Sequence, residues 1–277
     1  FSAVSLQSAY LGECGTFTQA WCDAYTNAAI NGAPSKDEEK LLASVSPKNY
    51  VQGITAPTLL SQGQADSLFP LNESSQTAAA LKKNGVPISM IWHAAGHDGG
   101  ADEKKYLQEQ YSRWFDKYLL KQEIDFPLFQ FTKTNGSISL QDSTAIPKSF
   151  TATRLPFEAE MKQLPLLAQP AAMSYPVGGI PSAISSLPGI GAAGSLAATV
   201  ASSFAGFSPA FVPGQSGFLD SAVLQEPILV TGSSRIKVRV TSTTGDATLF
   251  FSLVTKSPSG AISQPNGIVA PIRLTNI

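Results

Sequence analysis

Apolar positions recur every three to four residues over the first half of this 277-residue chain and every second residue over much of the last third. In the first half, Phe17, Ala20, Trp21, Ala24, Tyr25 and Ala28 line one side of a helix predicted across Phe1 to Asn31, with Gly32 as its stop. Ser35 and Glu38 have the spacing of a capping box, and Leu41 and Leu42 give the helix that follows an apolar side. The pattern then shortens. Thr58–Ser61 predicts a strand, and the Gln62-Gly63 step breaks it. Asn72 predicts the cap of a helix carrying Ala78, Ala79, Ala80 and Leu81, which Asn84-Gly85 ends. Ile88–His93 predicts a second strand. A further helix is predicted from Asp102 to about Gln122. Its apolar face holds Tyr106, Tyr111, Trp114, Phe115, Tyr118, Leu119 and Leu120, and Lys104, Lys105, Glu109, Arg113 and Lys117 take the other side.

From Phe126 the character changes. FPLFQFT and SISLQ flank a turn containing Asn135-Gly136 and predict a hairpin. Farther along, Glu226–Thr231, Arg235–Thr241 and Thr248–Val254 predict strands. Ile236, Val238 and Val240 alternate with Lys237 and Arg239, as in a half-buried antiparallel strand. Between these regions, residues 163–219 carry no charge, and their middle is rich in Gly, Ala, Ser and Pro. Ile190–Phe207 nearly has the length of a membrane span. Its small and hydroxylated residues and the lack of a flanking Lys/Arg cluster argue for a neutral loop or insertion instead.

Hydrophobic residues make up 43% of the chain, enough for a substantial core, while charged residues make up only 14%. The net charge of −1 leaves no electrostatic footprint for nucleic acid or an acidic membrane. A weakly charged surface rich in Ser, Thr, Ala and Gly fits an extracellular or cell-envelope protein better than a cytoplasmic one. Cys14 and Cys22 are the only cysteines, and their spacing excludes a C-x-x-C redox motif and a zinc knuckle. A local disulfide and two separate thiols both remain open at this point. Asn72-Glu73-Ser74 and Asn135-Gly136-Ser137 match the glycosylation pattern, and cap and turn roles explain both. No metal cluster, phosphate loop or dinucleotide fingerprint is present in the sequence, so no cofactor is expected.

The chemistry concentrates between Ala56 and Gly100. Asp66 stands in the turn after one predicted strand, and His97 stands in the turn after the next. A Ser–Asp–His hydrolase needs its acid and its base on loops at one sheet edge, so that the carboxylate can hold the imidazole tautomer. His93 ends a strand and reads as a packed histidine. Asp98 adjoins His97, and neighbouring residues rarely present their side chains to each other in triad geometry. In the chain order Ser, acid, His, the nucleophile should precede Asp66. None of Ser2, Ser5, Ser8, Ser35, Ser44, Ser46 or Ser61 lies in a G-x-S-x-G elbow.

GQADSLFPL followed by LKKNGVPISMIWHAAGHDGG resembles the X-Pro dipeptidyl-peptidase and cocaine-esterase group of α/β-hydrolases. Ser44-Val45-Ser46-Pro47 and Ile54-Thr55-Ala56-Pro57-Thr58 are similar to that group's approach to the acid strand. The resemblance implies Asp66 as triad acid and His97 as triad base. The run from Pro213 to Val254 and the ending NGIVAPIRL resemble the group's C-terminal jelly-roll domain. The implied fold is α/β plus all-β. A helical cap remnant covers 1–48, the C-terminal part of an α/β-hydrolase core covers 49–123, and an incomplete jelly-roll-like β-sandwich covers 124–277. Phe17, Trp21 and Tyr25 would line an apolar subsite of the cap, or simply pack. The implied function is cleavage of a small ester or peptide substrate, with the serine and the oxyanion hole upstream of this chain. The chain alone is then expected to be inactive. The rival reading is a non-catalytic binding or structural protein built on a decayed hydrolase.

Overall fold

The computed structural model describes residues 14, 17–31, 33–66, 69–97, 100–141, 151, 152, 167, 216–226, 228, 230–232, 234, 236–265 and 269–277. Residues 1–55 and 56–277 form two compact units. In the first, helix α1 spans Gln19–Asn31 and helix α2 spans Lys36–Val45, followed by single 3₁₀ turns at Pro47–Asn49 and Val51–Gly53. The helix expected from Phe1 begins, among the described residues, only at Gln19, and Phe17 precedes it. Residues 1–13 and Gly32 lie outside the described residues. A disulfide joins Cys14 to Cys22, Cα to Cα 5.9 Å, tying the approach to α1 to its first turn. The capping box at α2 forms. The Glu38 amide donates to Ser35 Oγ (3.4 Å), and the Ser35 amide donates to Glu38 Oε2 (2.6 Å), which holds the Glu38 carboxyl below its ordinary value.

The second unit is built on a four-stranded sheet. Strand β1 spans Thr58–Gly63, β2 Ile88–His93, β3 Phe129–Thr132 and β4 Ile138–Gln141, in the spatial order β1-β2-β3-β4. The first three run parallel and β4 returns antiparallel. Helix α3, Leu71–Lys83, links β1 to β2, and helix α4, Lys104–Tyr118, lies between β2 and β3. Parallel neighbours require such crossover connections. The register pairs Thr58 with Ile88 and Gly63 with His93, so β1 and β2 end side by side.

Alternation along the strands sorts their two faces. Met90, Trp92, Phe129 and Phe131 form a buried layer with Ala78 of α3, and Leu60 and Ile88 pack at its margin. Trp92 meets Phe129 edge-on, with ring centroids 4.9 Å apart, and its indole N–H donates to Ser74 Oγ (3.3 Å). On the other face the fully buried Gln130 side chain bonds Tyr106 and Gln110 of α4, and Tyr111 donates to Ser61 (2.9 Å). Helix α3 has Pro70 as its N-cap, two residues ahead of the expected Asn72 cap: proline presets the entry dihedral and sacrifices no amide there. It ends as expected. Gly85 takes φ +71°, with the Gly85 amide donating to Lys82 O and the Val86 amide to Leu81 O, the paired bonds of a glycine-terminated helix.

The hairpin expected to open the sandwich, within residues 124–277, instead extends this sheet. Phe129 and Phe131 complete the apolar layer beside Met90 and Trp92, and Gly136 at φ +81° makes the β3–β4 turn. Beyond it, the described residues show three short pairs. These are β5 (Thr151–Ala152) parallel to β6 (Thr231–Gly232), β7 (Asp246–Phe251) antiparallel to β10 (Ala270–Thr275), and β8 (Thr255–Lys256) antiparallel to β9 (Ile262–Ser263). Among the described residues these pairs show no two-sheet sandwich. Residues 236–241, expected as a half-buried strand, join no strand among the described residues. Ile236 and Val238 are 48% and 45% exposed, so among the described residues nothing covers them. Arg235 and nearly all of 163–219, including Ile190–Phe207, lie outside the described residues. Among the described residues no helix is long and apolar enough to cross a membrane.

Candidate active site

Strands β1 and β2 finish level with each other, and the two turns that leave them are stitched together through their backbones. The Gln64 amide donates to His93 O (2.8 Å), and the Ala65 amide donates to Ala95 O (3.1 Å). Glycine is required at 63 because a Cβ there would run into Ala95 O and Gly96 O. The second turn closes on itself through an antiparallel bridge between Ala95 and Gly100, with Gly100 at φ +116°.

These turns bring Asp66 and His97 together. His97 Nδ1 lies 3.2 Å from Asp66 Oδ2, with Asp66 only 5% exposed and the His97 side chain 34% exposed. A carboxylate can only accept here, so the neutral imidazole in this contact carries its proton on Nδ1. Asp66 is itself fixed by its turn. Its Oδ1 accepts from the Phe69 amide (2.8 Å), and its Oδ2 also accepts from Gln62 Nε2 (3.0 Å). Gln62 Nε2 donates to Phe69 O as well (2.8 Å), so one amide group braces both the acid and its turn. The Phe69 ring lies 5.3 Å from the imidazole, inclined at 42°, and gives that side of the site an apolar wall.

A second set of contacts stands behind the histidine turn. Glu103 Oε2 accepts from the Ala94 amide (2.6 Å) and its Oε1 from Thr132 Oγ1 (2.7 Å). Gln64 Nε2 donates to Trp92 O (2.9 Å) and to Thr132 O (2.8 Å), bridging the ends of β2 and β3. His93 is half-buried, and its Nδ1 has no hydrogen-bond partner among the described residues. Burial pushes the His93 imidazole below its ordinary value, and the Glu103 and Asp66 carboxylates pull it partly back.

Among the candidates drawn from sequence, Asp66 and His97 are thus brought into contact within the second unit. Asp98 lies outside the described residues. Phe17, Trp21 and Tyr25 belong to the first unit, each half-buried there, Phe17 ahead of α1 and the other two on it. Sequence reasoning passed over Gln62, Gln64, Phe69 and Glu103. Only the first three carry a local signal, a glutamine on each side of the strand-end glycine and an aromatic three residues after the turn aspartate. Among the described residues no group of three or more His, Cys, Asp or Glu could hold a metal ion.

Residues 12–122 match the sequence profile of the prolyl oligopeptidase family, an α/β-hydrolase family of serine peptidases. The match covers both turns and both flanking helices, and it supports an α/β-hydrolase-like fold and a serine hydrolase. No curated protein matches the chain significantly.

Proposed function

We propose that this chain carries the acid and the base of a Ser–Asp–His triad in a hydrolase of the X-Pro dipeptidyl-peptidase or esterase type, acting on small ester or peptide substrates. The observation that supports this most directly is the 3.2 Å contact between His97 Nδ1 and the buried Asp66 carboxylate, on turns that leave adjacent parallel strands. With Nδ1–H held by Asp66, the imidazole Nε2 takes the proton of a serine hydroxyl as that oxygen attacks the carbonyl carbon. Asp66 then stabilises the imidazolium, which returns the proton to the departing alcohol or amine. A water activated by the same nitrogen releases the acyl group. The serine precedes Asp66 in chain order and lies outside these 277 residues, since no serine ahead of Asp66 stands in an elbow. The oxyanion donors come from the same region. Phe69 forms an apolar wall of the substrate site. The C-terminal strands belong to a jelly-roll-like module, and the protein works outside the cytoplasm.

The experiment is turnover of nitrophenyl esters and X-Pro nitroanilides by a protein that includes the proposed serine, with and without a serine-directed phosphonate. Turnover of either class, abolished by the phosphonate, supports the reading and selects the substrate class. Absence of phosphonate labelling together with absence of turnover on both would refute it.

A further inference from the structure

The histidine turn is gripped from two sides, and only one of them belongs to the proposed triad. On the β1 side the grip is backbone to backbone, through Gln64 and Ala65. On the β3 side a carboxylate adds to the Gln64 side-chain amide, which bridges Trp92 O and Thr132 O. Ala94 is the first residue after β2, three before His97, and its amide donates to Glu103 Oε2 at 2.6 Å. The other oxygen of the same carboxylate accepts from Thr132 Oγ1, whose residue is 6% exposed at the end of β3. Both bonds have the short length of charge-assisted contacts. The main chain of Glu103 meanwhile opens α4, its carbonyl accepting from the Leu107 amide (2.9 Å), and a negative side chain is favoured at that helix end. One residue therefore fixes the exit of β2, the end of β3 and the start of α4.

We infer that Glu103 is a positioning residue for His97: its carboxylate clamps the root of the histidine turn to β3, so that the turn leaves the sheet in the direction that brings the imidazole Nδ1 to Asp66. The inference rests on the reading of His97 and Asp66 as base and acid. A helix-start acid that merely favours α4 would need neither the Ala94 amide nor Thr132, and losing it would lower stability without altering the imidazole.

The two roles separate in the ¹⁵N spectrum of the imidazoles, which needs no turnover. The chain has two histidines, so two ring systems are read, and His93→Gln assigns them. At about pH 8.5, two units above the ordinary imidazole value, wild-type His97 is expected to show a directly bonded proton on Nδ1. Glu103→Ala is expected to lose that signal, with the proton moving to Nε2, and to shift the Ala94 amide upfield. Glu103→Gln keeps one acceptor for Ala94 and one donor for Thr132, and is expected to retain the Nδ1 proton. Should Glu103→Ala not fold, Glu103→Met keeps the stem and removes both acceptors, and the same loss is expected. A folded Glu103→Ala or Glu103→Met chain with the His97 proton still on Nδ1 overturns the inference. So does failure of both variants to fold, which would make Glu103 a general structural residue. A wild-type chain without the Nδ1 proton is a different result: it removes the Asp66–His97 reading itself.

Discussion

Gly63 and Ala95 approach so closely that no side chain fits between them. A Cβ on Gly63 would run into the Ala95 carbonyl oxygen and stand 3.0 Å from that of Gly96. Both obstacles are backbone atoms of the turn that carries His97, so they cannot rotate aside. The close contact is what lets Gln64 and Ala65 bond the histidine turn and what sets Asp66 opposite His97.

Gly63→Ala should therefore destabilise the second unit by about 1–3 kcal/mol, the usual range for overpacking. Gly53, with nothing within 4 Å of its would-be Cβ, is the control. Gly53→Ala should stay within about 0.5 kcal/mol of wild type. Urea unfolding of the two variants decides it, and equal midpoints would mean that the two turns are not in contact.

Phe129 tests whether β3 belongs to the sheet of β1 and β2. Its side chain is fully buried among Trp92, Phe131, Met90 and Ala78. Phe129→Ala should cost about 3–5 kcal/mol, through lost transfer energy and the cavity left behind. Leu120→Ala, at a residue 65% exposed, should change stability by no more than about 0.5 kcal/mol. A Phe129→Ala chain as stable as wild type would place β3 elsewhere.

His93 links stability to pH. Its imidazole is held below the ordinary value chiefly by burial, with Glu103 and Asp66 opposing. The unfolded chain takes up this proton near pH 6.5, and the folded chain only at lower pH. Above about pH 6.5 both states are neutral at this position, and it contributes no slope. As pH falls from there through the folded value, the unfolded state binds the extra proton and stability declines. His93→Gln should flatten that part of the stability profile, measured by urea unfolding between about pH 5 and 8. An unchanged slope would show that His93 protonates equally in both states.

Much of the site was readable because its signals are local. Pro57, the Gly63 break, the Asn84-Gly85 stop and the Gly96-His97 turn punctuate short apolar runs, and each falls where the structure turns. Asp66 and His97 follow from that punctuation. The bracing around them does not. Gln64 reaches Thr132, and Glu103 joins Ala94 to Thr132, across separations that no local pattern encodes. The same limit applies to β3. FQFT reads as a strand, but its alternation does not say which sheet it joins, and α4 carries it back beside β2. At Ile236 and Val238 the pattern is present without a covering layer among the described residues, and alternation alone cannot supply one.

The central claim is that Asp66 and His97 act as one unit, and the most direct test is kcat/KM on an activated ester. It is measured for Asp66→Asn, His97→Ala and His93→Ala in a protein that includes the proposed serine, each variant matched for melting temperature. His97→Ala should lower kcat/KM by at least about 10²–10⁴-fold, the contribution of general acid–base transfer. Asp66→Asn should cost roughly 10⁴-fold, because the amide favours the wrong tautomer. His93→Ala should keep wild-type kcat, since that imidazole only packs at the strand end. Wild-type turnover in both Asp66→Asn and His97→Ala, or loss confined to His93→Ala, would contradict the account.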